Sequence, residues 1–296
     1  MSSRHPRGRS VTKRRGLLAA LGFGLFSSQA AAQTTPFVDQ GTGIQFQRFF
    51  GAKTNFGFGV ALPTTPSNSF IGQLSFPLVN GAGWGGFSLT GDMEGPLLMA
   101  CWADGKGGIQ ASFREAFNED DDPPEVTGAF SVKPISEGTS VNNTFLTFTF
   151  LCEGCLDDSL GLGAAQTAGT AEMGWALAST AVRNPASSAG VLAFHNSGFG
   201  DFKANLGSAR NAEFETWAAL VGTALPPGAN ARAFSGNGGD SGDDDGDDDD
   251  SDDEGNFGTG GGAGGGATTG GGTGGGGQTG GGFDDGDDSN DDSDDD

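Results

Sequence analysis

Phe145-Leu146-Thr147-Phe148-Thr149-Phe150-Leu151 runs directly into Cys152-Glu153-Gly154-Cys155. Side chains of an extended chain alternate between two faces, so Leu146, Phe148 and Phe150 share one side while Thr147 and Thr149 share the other. This is the pattern of a half-buried strand. Working outward, the same kind of segment recurs between clusters of Gly, Pro, Asn and Asp: Ile44 to Phe49, Phe56 to Leu62, Phe70 to Phe76, Trp84 to Thr90, Leu97 to Ala103, Ile109 to Arg114, Val126 to Val132 and Met173 to Thr180. Many short strands at regular spacing predict an all-β fold, an antiparallel β-sandwich. Only Asn211 to Val221 has helical periodicity, with Phe214, Trp217, Ala218 and Val221 on one stripe and Gly222 placed to stop it. That segment predicts a short C-terminal helix packed against a sheet.

The organisation of the chain follows from composition. Arg4, Arg7, Arg9, Lys13, Arg14 and Arg15 precede an apolar stretch from Leu17 to Phe26 and then Ala30-Ala31-Ala32, which reads as a signal peptide over residues 1–32. The apolar run is far short of the roughly 20 residues that span a bilayer. Arg14-Arg15 also loosely fits a twin-arginine signal, leaving the export route open. Residues 33–225 are rich in Phe and Gly and have the size of one domain. Residues 226–296 hold 20 of the 38 acidic residues of the chain together with a long glycine tract, and are expected to be disordered. Six of the fifteen basic residues leave with the signal peptide, and binding phosphate backbones needs clustered Lys and Arg, which argues against nucleic acid. The expected product is a secreted protein that does not reside in a membrane. Asn142-Asn143-Thr144 is an N-glycosylation acceptor just ahead of a strand.

Of the two histidines, His5 leaves with the signal peptide and His195 remains, in Val191-Leu192-Ala193-Phe194-His195-Asn196, read as an apolar strand running into the loop Ser197 to Gly200. Such a histidine reads either as a structural residue or as a ligand. Thioether sulfur is one of the standard partners of histidine on a six-coordinate haem. Met99 and Met173 sit in apolar strands and read as core, whereas Met93 stands in the polar turn Gly91-Asp92-Met93-Glu94-Gly95-Pro96, where packing gives a methionine little to do. Cys152-Glu153-Gly154-Cys155 lacks the following histidine of a covalent haem attachment, since residue 156 is leucine. Zinc would need further ligands. In an oxidising compartment the pair reads as a local disulfide or as a redox-active dithiol, and Cys101 as a buried free thiol.

In their order along the chain, these pieces resemble the cytochrome domain of fungal cellobiose dehydrogenase, from about Pro36 to Leu220. The resemblance is carried by Gly43-Ile44-Gln45-Phe46, Phe70-Ile71-Gly72, the Met93 turn with Leu97-Leu98-Met99-Ala100-Cys101-Trp102-Ala103, Phe150 to Cys155, Gly174-Trp175-Ala176, and His195 ahead of Phe199-Gly200-Asp201-Phe202. It implies an immunoglobulin-like sandwich holding non-covalent haem b, with Met93 and His195 on opposite sides of the iron, a Cys152–Cys155 disulfide and Arg114 against a propionate. The chain has no tyrosine, so any propionate contact made by a tyrosine in the family is replaced or missing. No flavin dehydrogenase domain is recognisable in this sequence, the GxGxxG matches of the glycine tract being accidents of composition, so the expectation is a stand-alone cytochrome. A copper polysaccharide monooxygenase is also disfavoured, because Gln33 stands where its N-terminal histidine would.

With both axial positions filled, oxygen chemistry is disfavoured and one-electron transfer favoured. The resemblance implies secreted sugar dehydrogenases as donors and copper monooxygenases or ferric ions as acceptors, with ferric reduction as an attainable activity. The acidic tail offers cation binding or simple solvation. Two competing readings come from other classes: a haem-free sandwich that binds a carbohydrate or apolar ligand, and a cell-wall component that acts through its tail.

Overall fold

The computed structural model describes residues 33–119 and 121–236; the expected signal peptide and the tail from residue 237 onward lie outside the described residues. Fifteen strands and one short α-helix form in the order β1 (Thr35–Val38), β2 (Gln45–Gly51), β3 (Phe56–Pro63), β4 (Phe70–Pro77), β5 (Trp84–Ser88), β6 (Leu98–Ala103), β7 (Ile109–Arg114), β8 (Val126–Thr127), β9 (Ser131–Pro134), β10 (Ser140–Val141), β11 (Phe145–Glu153), β12 (Thr170–Ala178), β13 (Gly198–Asn205), β14 (Arg210–Asn211), α1 (Phe214–Ala218) and β15 (Arg232–Ala233). The larger sheet has the order β1-β2-β3-β4-β11-β10, with β9 also on β11 and β14 on β3, and the smaller has the order β13-β12-β5-β6-β7. Their main pairings are antiparallel. The two sheets pack as the expected sandwich.

Phenylalanine fills the space between them. Leu146, Phe148 and Phe150 of β11 point inward as their alternation requires. Phe58 stacks on Phe87 at 4.3 Å and Phe49 on Phe202 at 4.6 Å, joining the two sheets. Glycine makes room for these rings: a Cβ on Gly72 would strike the ring of Phe150, its cross-strand partner, and one on Gly85 would lie 2.6 Å from Phe76. The shared enrichment in Phe and Gly therefore reflects one packing arrangement, bulky rings seated over bare backbone. Cys101 is a buried free thiol within this core, and burial pushes its pKa well up.

Four features depart from the sequence reading. Only Phe214–Ala218 is helical, because β14 claims Arg210 and Asn211 for pairing with β3, while Val221 forms a bridge with Ile135. Val126 to Val132 splits into β8 and β9, which pair with different partners. The segment around His195 is inverted: residues 192–195 form a loop, and Ser197 to Gly200, read as loop, leads into β13, which starts at Gly198. The described fold also runs past Leu225 to Gly236. β15 pairs in parallel with β8, Phe234 packs against the core, and the fully buried Glu115 carboxylate accepts hydrogen bonds from Ser235 and Gly236. No helix among the described residues is long and apolar enough to cross a membrane.

Candidate functional site

The site lies on the outer face of the smaller sheet, away from the core. Period-two alternation that sends Phe87, Met99 and Leu177 inward leaves small residues outward on three neighbouring strands. Gly86 sits in register between Ala100 and Ala176, and Ser88 between Leu98 and Gly174. Together they make a flat floor. The Ser88 hydroxyl accepts from the Gly174 N–H and donates to the Thr90 carbonyl, tying two strands beneath that floor. Above it opens a cavity of about 460 Å³ whose lining includes Met93, Phe194 and His195. That volume falls in the range of sites for small molecules and cofactors, about 300–1,000 Å³.

Met93 enters from the β5–β6 connection. Its turn is set by the Asp92 carboxylate, which accepts from the Glu94 N–H at 3.2 Å, and by the Thr90 hydroxyl, which accepts from the Asp92 N–H at 3.2 Å. Gly95 then donates to Ala116 at 3.4 Å. His195 enters from the opposite end of the sequence, on a loop pinned on both sides. Trp84 Nε1 donates to the Ala193 carbonyl at 2.9 Å, and the Asn196 side chain bonds to Ser179 and Thr180. The imidazole packs against the rings of Phe194 and Phe199, with centroids 4.3 and 4.4 Å away. Desolvation lowers its pKa, opposed by its own backbone and by the more distant Glu119, which favours the neutral ring that a metal requires. Its buried Nδ1 has no hydrogen-bond partner within the described residues.

Arg114 also lines the cavity, yet it is only 1% exposed and heavily engaged. Nε donates to Ser112 Oγ at 2.7 Å, Nη1 to the Pro123 carbonyl at 2.9 Å, and Nη2 to the Ser188 and Gly190 carbonyls at 2.7 Å each. Burial lowers its pKa, and Asp122 and Glu125 oppose that shift. The Asp122 carboxylate, 3.9 Å from Nη1, accepts from the Leu192 N–H at 2.9 Å. Arg114 thus joins the strand floor to the loop ahead of His195. Cys152 and Cys155 form a disulfide at the end of β11, and neither contributes to the cavity.

The sequence profile of the cytochrome domain of cellobiose dehydrogenase matches residues 37–216. The chain belongs to this family of cytochrome domains. Its described fold is similar to the cytochrome domain of Myriococcum thermophilum cellobiose dehydrogenase, with a TM-score of 0.58 and 29% identity over 65% of this chain and 98% of that one. It is also similar to the cytochrome b domain of pyranose dehydrogenase from Coprinopsis cinerea, with a TM-score of 0.56 and 25% identity over 68% and 99% of the two chains. A pyrroloquinoline quinone-dependent pyranose dehydrogenase of Coprinopsis cinerea is 28% identical over 204 residues, a match that covers 67% of this chain and 27% of that relative.

The prosthetic group of the family is haem b, and this cytochrome domain offers a site that suits it. The floor is flat and uncluttered, the buried imidazole nitrogen is unpaired, and a thioether faces the same space as that imidazole. A buried polar atom left without a partner costs free energy unless a ligand satisfies it or its neighbour. Met93 and His195, the ligands expected from the sequence, both line this cavity, whereas the floor was not anticipated. The signal was present in Gly86-Phe87, Met99-Ala100 and Gly174-Trp175-Ala176, each of which sets a small residue beside a large one.

Proposed function

We propose that this cytochrome domain is a secreted one-electron carrier whose cavity above Gly86, Ala100 and Ala176 would hold haem b non-covalently, with Met93 and His195 as the residues that would ligate its iron. The observation that carries this reading is the convergence of Met93 and His195, from distant parts of the sequence, on one apolar-floored cavity. Bound there, the haem supplies a one-electron couple at its iron. Ligation by a thioether and an imidazole would favour one-electron transfer over oxygen binding, and the thioether together with a dry surround would raise the potential. Phe194 and Phe199 pack against adjacent sides of the imidazole and restrict its rotation. Arg114 braces the loop that carries His195, and its guanidinium is the cationic group of the cavity lining that a propionate would approach. The donors proposed are extracellular sugar dehydrogenases, and the acceptors copper monooxygenases or ferric ions.

The test is the absorption spectrum of purified protein, oxidised and reduced, after expression with ample haem. A low-spin b-type spectrum that collapses in Met93→Ala and again in His195→Ala is the expected result. A colourless parent protein refutes the reading in favour of a haem-free binding module. Retention of the parental spectrum by either variant refutes the ligand assignment.

A further inference from the structure

We propose that the face carrying Phe194 and Phe199 docks a lysine-rich redox protein, an inference that rests on the electron-transfer reading above. Phe194 and Phe199 are 64% and 62% exposed, while most other phenylalanines of the fold are buried. They form one patch, with ring centroids 6.2 Å apart in an edge-to-face arrangement. Neither ring is needed to fill the core, and a contiguous aromatic patch left in water marks a contact surface. Both rings touch the imidazole of His195, so they provide a short through-contact route from that side chain to the molecular surface.

The charge around this patch specifies the occupant. Asp92, Glu119, Asp121 and Asp201 are exposed and line the same cavity mouth as the two rings. The one cation in that lining is Arg114, which is buried and committed to four acceptors. Lys203 follows Asp201 on the same face of the edge strand β13, where it lies in register with Glu172. An aromatic centre with a carboxylate rim is the arrangement of an interface whose partner presents an apolar contact ringed by ammonium groups. An anionic partner would meet like charge from these four carboxylates. In the docked pair one electron passes from the reduced centre to the oxidised one, with no bond made or broken and no proton transferred.

The experiment uses the full-length chain, so that the acidic tail is identical in every arm. It is titrated with cytochrome c, a lysine-rich haem protein, and with succinylated cytochrome c, in which the same protein carries reversed charge. Raising ionic strength from about 0.01 to 0.15 M shortens the Debye length from about 30 to about 8 Å. The expected result is binding of the native probe that weakens about tenfold or more over this range, with none of the succinylated form. Asp121→Asn combined with Asp201→Asn flattens that salt dependence. Phe194→Ala combined with Phe199→Ala weakens binding about fivefold or more at every salt concentration. Parental affinity in the double phenylalanine variant overturns the proposal, since the tail or diffuse surface charge would then account for binding. Equal binding of the two probes overturns it as well. Haem content is read independently from the absorption spectrum, so docking by a colourless protein would refute the electron-transfer reading and leave the surface assignment standing.

Discussion

Replacing Arg114 with methionine removes a nearly inaccessible guanidinium that donates four hydrogen bonds, three of them to backbone carbonyls of the 123 and 188–190 segments. Charge-assisted hydrogen bonds contribute about 1.5–3 kcal/mol each, so simple addition gives about 6–12 kcal/mol. That sum is too large, because the variant no longer bears the desolvation of a buried cation and the freed carbonyls partly regain water. Deleting one partner of a buried charged network costs about 3–5 kcal/mol, a large share of a total stability of about 5–15 kcal/mol. We expect a loss in that range for Arg114→Met. Arg114→Lys keeps the charge but has three donors on a single nitrogen for four acceptors around a planar fork, so it recovers less than half of the loss. Urea unfolding followed by tryptophan fluorescence measures both values. Haem absorbance in native buffer reports whether the His195 loop has loosened before the fold gives way. A loss under about 1 kcal/mol for the methionine variant refutes the clamp reasoning, the threshold being that of an ordinary neutral hydrogen bond. Full recovery of stability and spectrum by lysine refutes it too, since a residue acting only as a cationic partner for a propionate would be replaceable in that way.

Three further outcomes are expected. Ala176→Phe places a ring on the cavity floor and abolishes haem uptake, while circular dichroism retains the β signal and stability changes by no more than about 1–3 kcal/mol; normal haem content in this variant would move the site elsewhere. Converting both Cys152 and Cys155 to alanine opens a four-residue loop and lowers the unfolding free energy by about 2 kcal/mol in a denaturant titration, with the spectrum preserved because the bridge lies outside the cavity. Cys101 resists alkylation at neutral pH in the folded protein and reacts once it is unfolded, as mass spectrometry after iodoacetamide treatment would show.

The strands were legible because phenylalanine alternates with Thr, Gly or Ser along them, and Ile109–Arg114 begins and ends where that pattern does. β13 was hidden by the glycines that enable it. Gly198 and Gly200 hold φ values of 140° and 149°, and a Cβ on Gly198 would come within 3.0 Å of the Trp175 ring; in one dimension the same glycines read as a loop. The helix was overextended because its stripe of Phe214, Trp217 and Val221 is real, but Val221 is used by a bridge to Ile135, a competition that periodicity does not register. That Met93 and His195 belong beside one cavity was legible from residue type, setting and family resemblance. The clamp that Arg114 makes was not, because two of its acceptors are the carbonyls of Ser188 and Gly190, 74 and 76 residues further on, and backbone atoms leave no trace in sequence.

The cavity sits outside the sandwich, and the phenylalanine-rich core lies on the other side of the same sheet. Every strand of the floor is paired and backed by core within the polypeptide itself, so the packing between the sheets draws on nothing from the cavity side. Haem then adds stability only through mass action, by an amount that grows with the logarithm of its concentration over its dissociation constant.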